Sequence, residues 1–292
     1  MNKHLNSEAY WNQRFSSDWI VNQGDKQSIF FSLLTIDNLP SWFIELIKNE
    51  SLSVVDWGCA EGDGTNVLAS FFTRSEIHGI DFSLEAINRA KEKYPNINFK
   101  NENVLDDKYI FKKNYDILYS SNTLEHFENP LKVLSKLSKF DPKAIILALP
   151  YNEIDLIDEH FSSFDANNIE ISIEEKFTLR WARVVNCRDI SSSYWMGDQI
   201  ILVYINNNWK INKNLKLEDC TFEKVDTSSI LNENKNIKTE NLMLIKKNML
   251  IKEEYKLIFF EKEKIEHKLK EVEDSFIWKF LVMLRKMLGV NK

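Results

Sequence analysis

The chain has 292 residues, 43% of them hydrophobic and 28% charged, with a formal net charge of -6. This length fits one large domain with an appendage or two small domains, and the apolar share is ample for a core. The acidic balance argues against a nucleic-acid-binding surface. Cys59, Cys187 and Cys220 lie too far apart for a disulfide or zinc framework, so a reducing cytoplasm is the expected setting.

The N-terminus MNKHLNSEAY has no apolar h-region, and no apolar run approaches the roughly 20 residues of a membrane span. From residue 41 onward short apolar runs alternate with helix-like stretches. LSVVDW (52–57), EIHGID (76–81), NINFKN (96–101), YDILYS (115–120) and AIILALP (144–150) read as strands. SLEAINRAKEKY (83–94) and PLKVLSKLSKF (130–140) read as amphipathic helices, the first with Ser83 as N-cap and Pro95 just past its end. Strand–helix alternation predicts an open parallel α/β sheet. FTLRWARVV (177–185) and QIILVYIN (199–206) have no long helix between them and read as an antiparallel pair closing one edge. The fold class expected is therefore a Rossmann-like open α/β sheet of seven strands, mostly parallel with an antiparallel edge strand, plus a C-terminal helical extension.

Three parts are expected along the chain: a catalytic domain over 1–208, a polar linker over 209–240 rich in Asn, Lys, Glu and Ser, and a helical extension over 241–292. Leu244, Ile251, Ile258, Ile265 and Val272 recur every seven residues, but Asn248 and Lys262 interrupt the second seam. The pattern suits either a short coiled coil over 241–273, pairing two chains, or a lone helix lying on the main domain.

The stretch VVDWGCAEGDGT (54–65) holds Gly58, Gly62 and Gly64 after the first strand. Ala60 and Asp63 stand where a dinucleotide fingerprint needs glycine, and Asp56, Glu61 and Asp63 would repel a pyrophosphate. A nicotinamide-dependent dehydrogenase is disfavoured on that spacing. The loop suits a neutral or cationic nucleoside ligand, and S-adenosyl-L-methionine (SAM) fits, with its sulfonium, its ammonium and no phosphate.

VVDWGCAEGDGT resembles the first motif of class I SAM-dependent methyltransferases, usually D-x-G-C-G-x-G-x-G. IHGIDFS (77–83) resembles the second motif, NVLD (103–106) the third, and YDILYSSNTLEHF (115–127) the fourth strand and its loop. The four stand in the expected order between residues 54 and 127; the departure is Ala60 in place of glycine. The resemblance implies cofactor contacts from Asp56, Gly58, Cys59, Ala60, Glu61 and Gly62 in the loop. It implies ribose contacts from Asp81 with Phe82, and adenine contacts from Asn103, Val104, Leu105 and Asp106. Ser121 and Asn122 would lie near the reacting methyl. EAYWNQRF (8–15) is similar to the entry helix of such enzymes and would cover the cofactor, although Trp11 and Phe15 could equally be core residues.

A hydroxyl acceptor needs its proton removed, and His126 and His160 fall in loops beyond the carboxyl ends of strands, where ligands of open α/β sheets bind. They are the candidate bases, with Glu125 and Tyr151 as supporting candidates; an anionic acceptor would need no base. No metal ligand set is evident. The tail DSFIWKFLVMLRKMLG (274–289) loosely resembles the end of bacterial cell-surface glycan enzymes. Its apolar stripe Phe276, Phe280, Leu284 and Leu288, with Trp278, Lys279, Arg285 and Lys286, suits a membrane interface, a glycan-assembly partner or the chain's own domain. The expectation is a cytoplasmic enzyme, at the inner membrane if the tail binds lipid, that methylates an oxygen of a sugar or phosphorylated sugar for a surface polysaccharide such as capsule. The alternatives are another small metabolite, such as a quinone precursor or phosphorylated compound, and a SAM-binding interaction module without turnover.

Overall fold

Val54–Trp57 (β1) is buried along its whole length and is an interior strand, third in order, of an eight-stranded sheet. The order is β3-β2-β1-β4-β5-β8-β7-β6, with β2 Ile77–Asp81, β3 Asn98–Asn101, β4 Ile117–Ser121 and β5 Ala144–Tyr151 parallel to β1. β8 (Asp198–Asn206) runs antiparallel to β5, and β7 (Phe177–Asn186) antiparallel to β8. These coordinates are a computed structural model, in which residues 5–110, 113–211, 262, 268, 270 and 276–287 are described. The expected seven strands become eight: Ser172–Ile173 (β6) adds a two-residue pairing at the edge of β7. Two residues leave no periodic pattern to read, so this strand exists only through its partner.

Strands covered on both faces show near-continuous apolar runs, and β1 and β5 fit that rule. Alternate side chains still go to opposite faces. Val55, Trp57, Leu118, Ile145 and Leu147 join one core cluster, which Val133, Leu134 and Leu137 of the helix Pro130–Leu137 cover. Val54, Ile117, Tyr119, Ile146 and Ala148 join the other, with Phe43, Ile47 and Leu68 from the helices on that face.

The helices are α1 Glu8–Ser17, α2 Gly24–Asn38, α3 Ser41–Glu50, α4 Asp63–Phe71, α5 Leu84–Lys93 and α6 Pro130–Leu137. Ser83 caps α5 by accepting from the Ala86 N–H, Asn129 caps α6 with Pro130 at its first turn, and Ser7 caps α1. α2 was not legible in the sequence: its buried residues Phe31, Ser32, Leu34, Thr35 and Ile36 mix polar and apolar types. It crosses the start of α4 so closely that a Cβ on Gly64 would lie 2.5 Å from Ser32 Oγ.

The chain divides into two compact units, Met1–Thr221 and Phe222–Lys292. Of the second, the helix α7 (Phe276–Met287) is described. Phe280, Leu281, Val282 and Met283 are exposed on it. Most of the expected linker and the heptad pattern of 241–273 lie outside the described residues, as do Leu288 and the side chains of Phe276 and Trp278. No single helix among the described residues is long and apolar enough to cross a membrane.

Candidate active site

Successive connections leave β1 towards β2 on one side and β4 on the other, and the crevice opens at the carboxyl ends of these strands. The loop after β1 is held there by its own geometry. Gly58 and Gly62 take φ of +79° and +81°, and Ala60 takes +49°. Glycine reaches this region freely, whereas alanine pays roughly 1–2 kcal/mol for it. The N–H groups of Gly58 and Cys59 donate to Ile80 O at 2.8 and 3.2 Å, and the Ala60 N–H donates to Asp81 Oδ2 at 3.0 Å. Asp81 Oδ1 accepts from the Ser83 N–H at 2.8 Å. A Cβ on Gly58 would stand 2.5 Å from Thr123 Oγ1.

The loop borders a concave cavity open to solvent, the kind of site where small molecules bind. Among the sequence-derived candidates, Asp56, Gly58, Cys59, Ala60, Asp81, Phe82, Ser121, Asn122, Glu125, His126 and His160 line it. Glu61 and Gly62 do not. Glu61 lies 3.5 Å from Arg89 and 3.6 Å from Lys93 of α5. Asp63 likewise binds Lys93 and Tyr94. Two of the loop's three acids are thus tied to α5, and Asp56 alone of them faces the cavity.

Residues 103–106 also lie outside the lining. Val104 is buried in the core, Leu105 packs against it, and Asp106 is exposed, accepting from the Lys108 N–H at 2.8 Å. The Asn103 side chain accepts from the Leu105 N–H at 3.1 Å. Tyr151 ends β5, half-buried against the core and outside the cavity lining. Burial raises its hydroxyl above the ordinary range.

Carboxylates dominate the cavity's charge: Asp56, Asp81, Glu125 and Glu159 line it, with Arg14 as the guanidinium among them. Arg14 is committed to Asp18 at 2.7 Å and Glu159 at 3.0 Å. Burial pushes Asp56 up to about 7, against its bond from the Thr65 hydroxyl at 2.6 Å and with Asp81 adding to the rise. Burial likewise pushes Asp81 up to about 6, against bonds from the Ser83, Ala60 and Phe82 backbone. Cys59 is raised well above the usual thiol range by burial and the two aspartates. Such a cavity favours a cation, whose charge would offset these carboxylates.

Glu125 and His126 sit in a 3₁₀ turn, Leu124–His126, just after β4. Loop 152–160 after β5 brings His160 opposite, with Nε2 4.0 Å from Glu125 Oε1 and the two imidazole centroids 5.2 Å apart. Burial, with Glu153 nearby, pushes Glu125 up to about 8, and its Oε2 has no hydrogen-bond partner. Burial, with His160 beside it, drives His126 down to about 4. Trp11 meets His126 edge-on at 5.0 Å, and Trp195 stacks on His160 at 5.9 Å.

α1 is fixed over this loop. Asn6 Nδ2 donates to Glu159 O at 2.7 Å and to His126 O at 3.1 Å, and the Tyr10 hydroxyl bonds Glu159. Arg14, Glu153, Glu159, Trp195, Thr123 and the α2 serines Ser28 and Ser32 escaped sequence reasoning. The acid-rich run NEIDLIDEH (152–160), ending in His160, was the one signal that pointed towards two of them.

These protonation states give an expected result for the ligand-free chain. Asp56 and Glu125 have folded values above their unfolded ones. Their contribution is full below about pH 4 and is lost as pH rises through about 7 and about 8. His126 acts oppositely, losing stability as pH falls from about 6.5 towards 4. Only the acids operate above pH 6.5. The melting temperature should therefore drop by about 3 °C or more between pH 6.5 and 8.5, and Glu125→Gln should flatten the slope. Scanning calorimetry across that window checks it; a level profile in the unmodified chain would contradict the buried-acid account.

The family described as Methyltransferase domain matches residues 48–194, half of the chain. The 235L protein of Invertebrate iridescent virus 6, a methyltransferase by name, is 31% identical over 166 residues, 52% of this chain and 58% of that one. The mitochondrial ubiquinone biosynthesis O-methyltransferase of Saccharomyces cerevisiae is 27% identical over 162 residues, 52% and 49% of the two chains. The chain thus spans about half the length of each of these curated relatives. Among solved structures, a chain of the Haloferax volcanii complex between the Trm112 activator and a methyltransferase superposes with a TM-score of 0.52 at 13% identity. That match covers 68% of this chain and 99% of the other.

Proposed function

This chain belongs to the methyltransferase-domain family, whose cofactor is SAM, and on that premise we propose that it transfers a methyl group to a hydroxyl oxygen of a small, uncharged acceptor. The observation that carries the reading is the cavity itself. The glycine loop with Asp56 and Asp81 lines the same cavity as Glu125, His126 and His160, so a cofactor and an acceptor would meet there. The residues fit the cofactor. A Cβ on Gly58 would collide with Thr123, so this residue of the cavity lining stays bare backbone, which lets the methionine part approach it. Asp81, fixed by two backbone N–H groups, offers its remaining lone pairs to the ribose hydroxyls. Asp56, buried beside it, suits the ammonium.

When bound, SAM supplies a methyl carbon whose bond to sulfur breaks as its bond to the acceptor oxygen forms, the sulfur leaving with the electron pair. This chain's part is to hold that oxygen in line and take its proton. His126 is suited to that. Its Nδ1 lies 2.9 Å from the Glu159 carbonyl, which can only accept, so Nδ1 carries the proton and Nε2 keeps a lone pair. Its lowered pKa keeps the ring neutral at physiological pH.

The acceptor class we favour is a sugar of a surface polysaccharide, in its unphosphorylated form. Trp11, Phe127 and Trp195 line the cavity and suit the apolar face of a ring. The excess of carboxylates over a committed Arg14 disfavours a phosphorylated acceptor. A phenolic acceptor is the second reading: the aromatic lining suits it, and the yeast relative is named for ubiquinone biosynthesis. Labelled-methyl transfer from SAM to a panel of free sugars, glycan fragments, phosphorylated sugars and catechols, with mass spectrometry to place the methyl, decides between them. Transfer to phosphorylated sugars alone would sink the uncharged-acceptor reading.

Asp81→Ala should weaken SAM binding by roughly 10- to 100-fold, because charge-assisted bonds to ribose are lost. Calorimetry reads this directly, and unaltered affinity would take Asp81 out of the cofactor contacts.

A further inference from the structure

We propose that Glu125, His126 and His160 form a site for one divalent transition-metal ion, with open coordination positions that take the acceptor's hydroxyl oxygen. The proposal deepens the methyl-transfer reading and rests on it for the role of the bound oxygen. The metal site itself stands on geometry.

The donor atoms of the three side chains all lie within 4.8 Å of one another, and Glu125 Oε1 to His160 Nε2 is 4.0 Å. Two donors each about 2.0–2.2 Å from one ion stand roughly 3–4 Å apart. A pair as wide as 4.8 Å therefore needs to close by roughly 1–2 Å, within the reach of side-chain rotation.

The surroundings are those of a ligand set. His126 Nδ1–H donates to the Glu159 carbonyl at 2.9 Å, and His160 Nδ1 lies 2.7 Å from Glu153 Oε2, which fixes the proton on that nitrogen too. Each imidazole thus presents the lone pair of Nε2. This carboxylate–histidine and carbonyl–histidine support is the usual outer shell of a metal ligand. The third ligand supplies an independent sign. Glu125 is 1% exposed, and its Oε2 is buried with no hydrogen-bond partner. A buried, unpaired carboxylate oxygen is costly unless a cation or proton meets it.

Two imidazoles and one carboxylate favour zinc, iron(II), cobalt(II) or manganese over magnesium or calcium, which prefer all-oxygen shells. Three protein ligands leave positions open, and all three residues line the cavity. With the ion bound, the Nε2 lone pair of His126 goes to the metal and His126 no longer serves as the base. The ion would polarise the acceptor hydroxyl so that its proton passes to solvent water, leaving the oxygen's lone pair for the methyl carbon, and no oxidation state changes.

The test uses the full chain, stripped by chelator, dialysed and titrated with Co²⁺, with bound metal measured by elemental analysis and by visible absorption. SAM affinity is measured in parallel by calorimetry. The expected result is one Co²⁺ per chain, with affinity at least about 100-fold weaker in Glu125→Gln and His126→Ala. Glu153→Gln, which touches no ion, should weaken it about 10- to 100-fold through His160. SAM affinity should stay within about threefold throughout, which separates lost ligands from lost folding. If the unmodified chain binds SAM yet holds no more Co²⁺ than Glu125→Gln, the site does not exist. If Co²⁺ binds as expected but SAM does not, the metal site stands and the methyl-transfer reading falls. Methyl transfer that continues undiminished after chelation would overturn the ion's role at the acceptor oxygen.

Discussion

Turnover in the Glu125→Gln and His126→Ala proteins is expected to fall by about 10³-fold or more, with SAM affinity changed by less than about threefold. Removing a group that takes a proton or stabilises developing charge in a closed site costs about 10²–10⁴-fold. Both residues line the cavity together with the glycine loop and Asp81. Glu125→Gln is close to isosteric, so a loss there reports chemistry rather than packing. Replacement of His160 should cost less if Glu125 and His126 still hold the acceptor, and as much if all three share one ion. Single-turnover kinetics under saturating SAM measures the chemical step. If both variants turn over at the parent rate, the acceptor reaches the methyl group by another wall of the cavity, and the catalytic assignment is lost.

The second large effect is expected at the glycine loop. Gly58→Val should reduce SAM affinity by about 10³-fold or more. A Cβ there meets Thr123 Oγ1 at 2.5 Å and Thr123 Cγ2 at 2.6 Å, well inside contact distance. The residue also holds φ of +79°, a region a β-branched residue avoids at a cost of order 1–3 kcal/mol. The loop would have to move, carrying with it the Gly58 and Cys59 N–H bonds to Ile80 that fix it. Gly58→Ala should be milder, and Gly58→Ala with Thr123→Ala milder still, because the clash is relieved while the backbone strain remains. Calorimetric titration with SAM, alongside circular dichroism to confirm folding, reads both terms. Full affinity in Gly58→Val would mean that the loop's backbone is not in contact with the cofactor.

The sequence by itself determined the sheet and the place of its ligand. Apolar runs such as AIILALP are strands because both faces are covered, and that property is local to the run. Ser83 and Pro95 mark the ends of α5 by chemistry that acts within a turn. The glycines at 58 and 62 announce positive φ, and their acidic neighbours announce a ligand other than pyrophosphate.

Only the tertiary structure decided which acids face that ligand. Asp56, Glu61 and Asp63 look alike in a row, yet Arg89, Lys93 and Tyr94, about 30 residues away, claim the last two. The acceptor side was hidden for the same reason. Glu125 and His160 are 35 residues apart, and nothing in their spacing says that Nε2 and Oε1 come within 4.0 Å. That distance is set by the ends of β4 and β5 lying side by side, and by Asn6 tying loop 152–160 to the start of the chain. Periodicity and capping act over a few residues and can be read directly. The pairing of side chains from separate loops depends on where the sheet places the strand ends, and it exists only once the chain has folded.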